Sequence, residues 1–167
     1  MNVLQQSYPD EIGQILAKYP PEQKRSAMMP LLYLAQRELG FINRQSLLDI
    51  AEILETTPTE VASVIGFYTL FHDTPGGRYR LQVCTDLSCA LRGADRFVEQ
   101  LCQNLAIRTG ETTPDGLITV EEVTCLAGCN RSPLFQLQGN GETTYHENQT
   151  IETAMKLVEE LRQHANG

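Results

Sequence analysis

Four cysteines in two close pairs, Cys84–Cys89 and Cys125–Cys129, restrict this chain more than any other feature; they read C-x4-C and C-x3-C with 35 residues between them. For the four to act together, two loops far apart in sequence have to be folded side by side. Neither pair contains a histidine. Four soft thiolates suit an iron–sulfur cluster, and tetrahedral zinc accepts the same donors. Zinc ribbons usually bring tighter C-x2-C knuckles at a shorter separation, so the spacing favours iron and sulfide. A disulfide framework would need an oxidising compartment, and nothing in the chain points to one.

The opening residues, MNVLQQSYPDEIGQIL, lack a charged segment, a continuous apolar core and a small-residue cleavage site, so no secretory signal is expected. No apolar run approaches the roughly 18 residues of a membrane span. A cytoplasmic chain is expected, with any membrane contact made only indirectly through other subunits. Twenty-one acidic residues against 13 basic ones give a net charge of −8 with no Lys/Arg run, which disfavours nucleic acid as a partner.

The chain changes character near Asp73–Gly77, where a Pro-Gly-Gly turn separates helix-period sequence from strand-like alternation. Residues 1–75 are expected to form a small helical bundle, and residues 76–167 a second, α+β domain. In the first, helical stretches are read at Asp10–Tyr19, Ser26–Gly40 and Arg44–Glu55. Leu31, Leu32, Leu34, Ala35 and Leu39 form one apolar stripe. A fourth helix is expected from Thr57 to about Phe71, because Thr57-Pro58-Thr59-Glu60 combines an N-cap, a first-turn proline and a capping-box glutamate. Its aromatic residues Phe67, Tyr68 and Phe71 read as bundle core, or as part of a face that docks a partner.

In the second domain, Arg78–Thr85 reads as a strand that delivers Cys84 at its end, and Asp95–Ala106 as a helix with Cys102 among its core residues. A strand over Leu117–Val123 ends beside Cys125. Leu134–Gln138 and Thr143–His146 suggest a hairpin around Gly139-Asn140-Gly141, and Thr150–His164 a closing helix. The order β–α–β–β–α thus puts both cysteine pairs at strand ends, in a layout like the second half of a thioredoxin-like sheet.

The run Cys84-Thr-Asp-Leu-Ser-Cys89-Ala-Leu-Arg-Gly93, followed by Glu121-Glu122-Val-Thr-Cys125-Leu-Ala-Gly-Cys129 and Pro133, resembles the 24 kDa subunit family of NADH dehydrogenase, which includes the corresponding subunit of bacterial respiratory complex I. Pro30-Leu-Leu-Tyr-Leu-Ala-Gln36 and Val64-Ile-Gly-Phe-Tyr-Thr-Leu-Phe71 resemble that family's helical domain, so the similarity runs from about Ser26 to the final helix. The resemblance implies a thioredoxin-like domain holding a [2Fe–2S] cluster on Cys84, Cys89, Cys125 and Cys129, preceded by a helical bundle. It implies a partner flavoprotein subunit that carries FMN and NADH, in respiratory complex I or in an NAD-linked hydrogenase or formate dehydrogenase. This chain would then be a non-catalytic electron-transfer subunit, cytoplasmic or peripheral on the inner membrane through the complex. The absence of a G-x-G-x-x-G or Walker pattern agrees with a chain that binds no nucleotide itself.

Two departures stand out. The family commonly reads Cys-Leu-Gly-Ala-Cys where this chain has Cys125-Leu-Ala-Gly-Cys129, and often has an acidic residue where Thr124 stands. Both bear on hydrogen bonding around the sulfurs, to which reduction potential responds. Gly93 and Gly128 are read either as points where main chain approaches a cluster closely or as plain turn glycines.

No catalytic acid–base set is evident. His72, His146 and His164 have no ligand spacing, Glu121 and Glu122 read as a solvated strand edge, and Arg131 as an exposed salt-bridge partner. Two other readings stay open: a stand-alone ferredoxin-like shuttle, and a structural zinc-binding subunit.

Overall fold

The computed structural model describes residues 2–165, without the side chains of residues 38 and 39. The chain falls into two compact units that part between Pro75 and Gly76. Leu39, one member of the expected stripe, lies outside the described side chains.

The first unit is helical. Helix α1 (Val3–Ser7) is capped by Asn2, whose side chain accepts a hydrogen bond from the Gln5 amide. Helix α2 (Pro9–Leu16) starts with proline and carries Asp10 and Glu11 in its first turn, where the exposed amides favour negative charge. A 3-10 stretch, Pro21–Ala27, leads into α3 (Met28–Leu39), which stops at Gly40 in a left-handed conformation. Helix α4 (Arg44–Leu54) is capped by Asn43. Helix α5 (Pro58–Phe67) has the full reciprocal capping box between Thr57 and Glu60. Leu31, Leu32, Ile50, Leu54 and Val61 meet in a closed apolar core together with Ile12 and Ile65.

Sequence periodicity does not foresee α1, whose five residues are too few to show one. It is held from outside by the buried Asp49 of α4, which accepts from the Leu4 amide at 2.8 Å while its main-chain carbonyl accepts from the Asn2 side chain at 2.9 Å. Helix α5 ends at Phe67, four residues short of the expected Phe71. The reason is a long-range competitor: the Gln36 side chain donates to the Leu70 carbonyl at 2.7 Å and accepts from the His72 amide at 2.8 Å, drawing the chain out of the helix. Phe71 turns into the core, while Phe67 and Tyr68 stay at the surface, Phe67 at 77% exposure.

The second unit is a four-stranded mixed sheet in the order β2-β1-β3-β4, comprising β1 (Tyr79–Cys84), β2 (Ile118–Val123), β3 (Phe135–Gly139) and β4 (Glu142–His146). Strand β1 runs parallel to β2 and antiparallel to β3. A one-turn helix α6 (Leu87–Ala90), then α7 (Ala94–Leu105), follow β1, and α8 (Ile151–Ala165) closes the unit. One sheet face, with Leu81, Val83, Ile118, Val120, Phe135 and Leu137, packs with Phe97, Val98 and Leu101 of α7 and Ala154 and Val158 of α8.

Every residue of β1 is buried, polar Arg80 and Gln82 included, so the strand is not the half-solvated one its alternation suggests. The second face carries a polar network in place of water. Arg80 pairs with Glu121, and Gln82 donates to Glu121 at 2.8 Å and accepts from Gln138 at 2.8 Å. Glu121 is therefore an ion-pair partner and not a free strand edge. Among the described residues no buried side-chain nitrogen or oxygen lacks a partner, as the cost of desolvating an unpaired polar group demands.

The α5 cap gives a direct stability test. Hydrogen bonds from the Thr56 hydroxyl and then the Thr57 amide draw the Glu60 carboxyl down to about 2. With the folded value below the ordinary 4.5, that stabilisation is present above pH 4.5 and lost as pH falls toward 2. Thr57→Ala is expected to lower unfolding stability by about 1 kcal/mol at neutral pH, measured by chemical denaturation.

Candidate metal centre

Both cysteine pairs belong to the second unit. The parallel register sets Cys84 opposite Val123, and the Thr85 amide continues the ladder by donating to the Val123 carbonyl at 3.1 Å. Two strands that end level with each other release their loops at the same edge, so the segments carrying Cys89 and Cys125 leave the sheet together.

The first pair is held rigidly. Cys84 is the last residue of β1 and is anchored on the other side by its amide, which donates to the Leu134 carbonyl at 3.2 Å. Asp86 caps α6 by accepting from the Leu87 amide at 2.8 Å, which turns Cys89 inward. Cys84 and Cys89 are both buried and pack with Ala94 and Leu134, with Leu126 and Cys129 alongside. Burial pushes the Cys89 thiol up to about 11; the neighbouring Cys84 and Cys129 add to the rise, and the Ser132 hydroxyl opposes it.

The second pair is looser. Cys125 lies two residues past β2 and is exposed, whereas Cys129 is half-buried and opens a 3-10 turn, Cys129–Arg131. The structure thus gathers Cys84, Cys89 and Cys129, while Cys125 is exposed to solvent. Among the described residues no three Cys, His, Asp or Glu side chains converge as a single-ion site. A two-iron cluster asks for something different: two thiolate pairs held apart by the width of the cluster, all of them sulfur. By its chemistry the donor set suits such a cluster, since Cys84, Cys89, Cys125 and Cys129 are all free thiols.

Cys102 belongs to the apolar cluster under α7 and α8, where it contacts the Thr109 hydroxyl at 3.9 Å. His72 is buried, His146 stacks on the Phe135 ring at 5.0 Å, and Arg131 pairs with Glu147. Gly93 adopts a left-handed turn ahead of α7 with open space around it. Gly128 faces the Leu134 side chain. Three contributors escape sequence reasoning: Asp86, Ser132 and Leu134. Asp86 had a legible signal, a capping residue just before a short helical run; the other two act through contacts across the fold.

Residues 12–162 match the model of the thioredoxin-like [2Fe-2S] ferredoxin family. The chain belongs to that family. It is 45% identical over 128 residues to NADH-quinone oxidoreductase subunit 2 of Thermus thermophilus, covering 77% of this chain and 71% of that protein. It is 39% identical over 153 residues to an NADH-quinone oxidoreductase subunit of Rhizobium meliloti, covering 92% and 88%. Among solved structures, the air-oxidised NAD+-reducing [NiFe]-hydrogenase superposes with a TM-score of 0.64 at 21% identity, covering 80% of this chain and 23% of that one. This last likeness speaks for the fold. The family membership agrees with the α+β, thioredoxin-like architecture and with the expected [2Fe–2S] chemistry. Among the described residues no helix is long and apolar enough to cross a membrane.

The unequal burial of the thiols makes a prediction for the cluster-free chain. Under native conditions a maleimide is expected to label Cys125 first and Cys129 next, with Cys84, Cys89 and Cys102 reacting only after denaturation, as peptide mass mapping would show.

Proposed function

We propose that this chain is a one-electron carrier subunit of an NADH-oxidising complex, and that Cys84, Cys89, Cys125 and Cys129 hold its [2Fe–2S] cluster. The observation that carries the reading is the convergence of two cysteine-bearing loops at one end of the parallel β1–β2 pair, in a member of this family. Relatives that match over most of their length bear the names of NADH-quinone oxidoreductase subunits, which supports the respiratory assembly over the hydrogenase and formate dehydrogenase alternatives.

When bound, the cluster accepts and returns a single electron, whereas a hydride from NADH brings two to a flavin. The chain's own part is to supply thiolates and control water. Buried Cys84 and Cys89 form the dry side of the site, with Leu134 and Ala94 excluding solvent behind them. Cys125, on the solvent side, gives a partner the shortest approach. Leu87 and Leu91, exposed on the segment that carries Cys89, supply an apolar rim there. That partner is a flavoprotein subunit holding FMN and NADH, on the cytoplasmic side of the membrane. Residues 1–75 serve as a docking module, for which Phe67 and Tyr68 offer exposed aromatic surface.

The reading predicts about two iron and about two sulfide per chain in anaerobically purified protein. Cys84→Ser and Cys125→Ser are expected to lose or destabilise the cluster, and Cys102→Ser to keep it. Loss confined to Cys102→Ser would overturn the ligand assignment. Co-expression with the flavoprotein subunit is expected to give a stable heteromer; a monomer that shuttles electrons by itself would favour the ferredoxin-like alternative.

A further inference from the structure

The loop Cys125-Leu126-Ala127-Gly128-Cys129 carries its glycine at an unexpected place. Ala127 has φ +58°, in the left-handed region that side chains with a Cβ avoid and glycine tolerates freely. Gly128, one residue later, has φ −112° and ψ 32°, with no positive φ to call for glycine. Backbone conformation alone would therefore favour the reverse order.

Space explains the order that is present. A Cβ on residue 128 would lie 2.5 Å from one terminal methyl of Leu134, with the rest of that side chain's branch at 3.7 and 3.8 Å. Leu134 is 1% exposed, so the methyl has no solvent to retreat into. The same residue reaches the other cysteine pair, since its carbonyl accepts the Cys84 amide at 3.2 Å and its side chain packs with Cys84, Cys89 and Ala94.

We infer that Leu134 is the positioning residue of the cysteine site: it sets the second cysteine loop against the first pair and imposes glycine at 128, at the expense of a left-handed alanine at 127. Leu134 supports both loops at once, through its main chain at Cys84 and through its side chain beneath Gly128. Ala127 bears the strain because moving the glycine to 127 would put a Cβ into the leucine. The inference rests on the reading that the four cysteines act as one ligand set, and it can be tested separately from that reading.

The test is a double-mutant cycle on the full chain with Gly128→Ala, Leu134→Val and their combination, alongside Ala127→Gly. Valine has no δ methyl, so it removes the contact that a Cβ at 128 would strike while keeping branched bulk in the core. Two readouts are taken: maleimide labelling of Cys129 in the cluster-free chain, and the midpoint potential and electron paramagnetic resonance line shape after reconstitution. Gly128→Ala alone is expected to speed Cys129 labelling roughly tenfold by lifting the loop, and to alter potential and line shape. Adding Leu134→Val is expected to restore all three toward wild type, a coupling that a general loss of stability would not produce. Ala127→Gly is expected to raise thermal stability and leave Cys129 labelling unchanged.

Unchanged labelling, potential and line shape in Gly128→Ala, or equal defects in the single and double variants, would overturn the inference while leaving the cluster reading intact. Labelling that follows the predicted cycle in a wild type that takes up no iron and sulfide would sustain Leu134 as the positioning residue and defeat the cluster reading instead.

Discussion

Parallel pairing between β1 and β2 is the constraint on which the cysteine site depends. With Cys84 level with Val123, the two strands end together, and the loops that follow are adjacent whatever their own sequences prefer. The pairing is enforced on both sides of the sheet. Apolar residues of β1 and β2 pack with α7 and α8 on one face, and on the other the Arg80–Glu121 pair with its glutamine partners ties the same two strands side chain to side chain. A shift of register by one residue would exchange the two faces, bringing Arg80 and Gln82 into the apolar layer at a prohibitive desolvation cost. The placement of the two cysteine loops is thereby protected by the packing of the whole sheet.

The site that results is asymmetric. Cys84 and Cys89 come from a strand end and a capped turn and are sealed from water, while Cys125 and Cys129 come from a short loop and remain partly accessible. For a group that changes charge when it gains an electron, this arrangement has opposing consequences. Burial lowers the local dielectric and makes added negative charge expensive, whereas exposure at one side moderates that cost and shortens the path to a partner. A carrier needs both a protected interior and an open edge, and under the proposed function the two cysteine pairs divide those roles.

Much of this was legible in the sequence, for identifiable reasons. The Thr57–Glu60 capping box and the alternating stretches before Cys84 and Cys125 are local signals, and the cap of α5 and the strands β1 and β2 follow from them. What escaped depends on contacts between residues far apart in sequence. Helix α1 exists because Asp49 satisfies its end, and α5 stops at Phe67 because Gln36 captures residues 70 and 72. Arg80 and Gln82 look like solvent-facing residues until Glu121 and Gln138 are brought beside them. Within the site the four thiols could be named, but their unequal burial could not, and neither could the part played by Leu134.

The central claim is that these thiols together hold one group that carries one electron. The most direct test is an anaerobic redox titration of the purified chain followed by electron paramagnetic resonance. The account predicts silence in the oxidised protein and a signal that grows on reduction along a one-electron Nernst curve. A chain silent at every potential, with zinc bound in place of iron and sulfide, would contradict it.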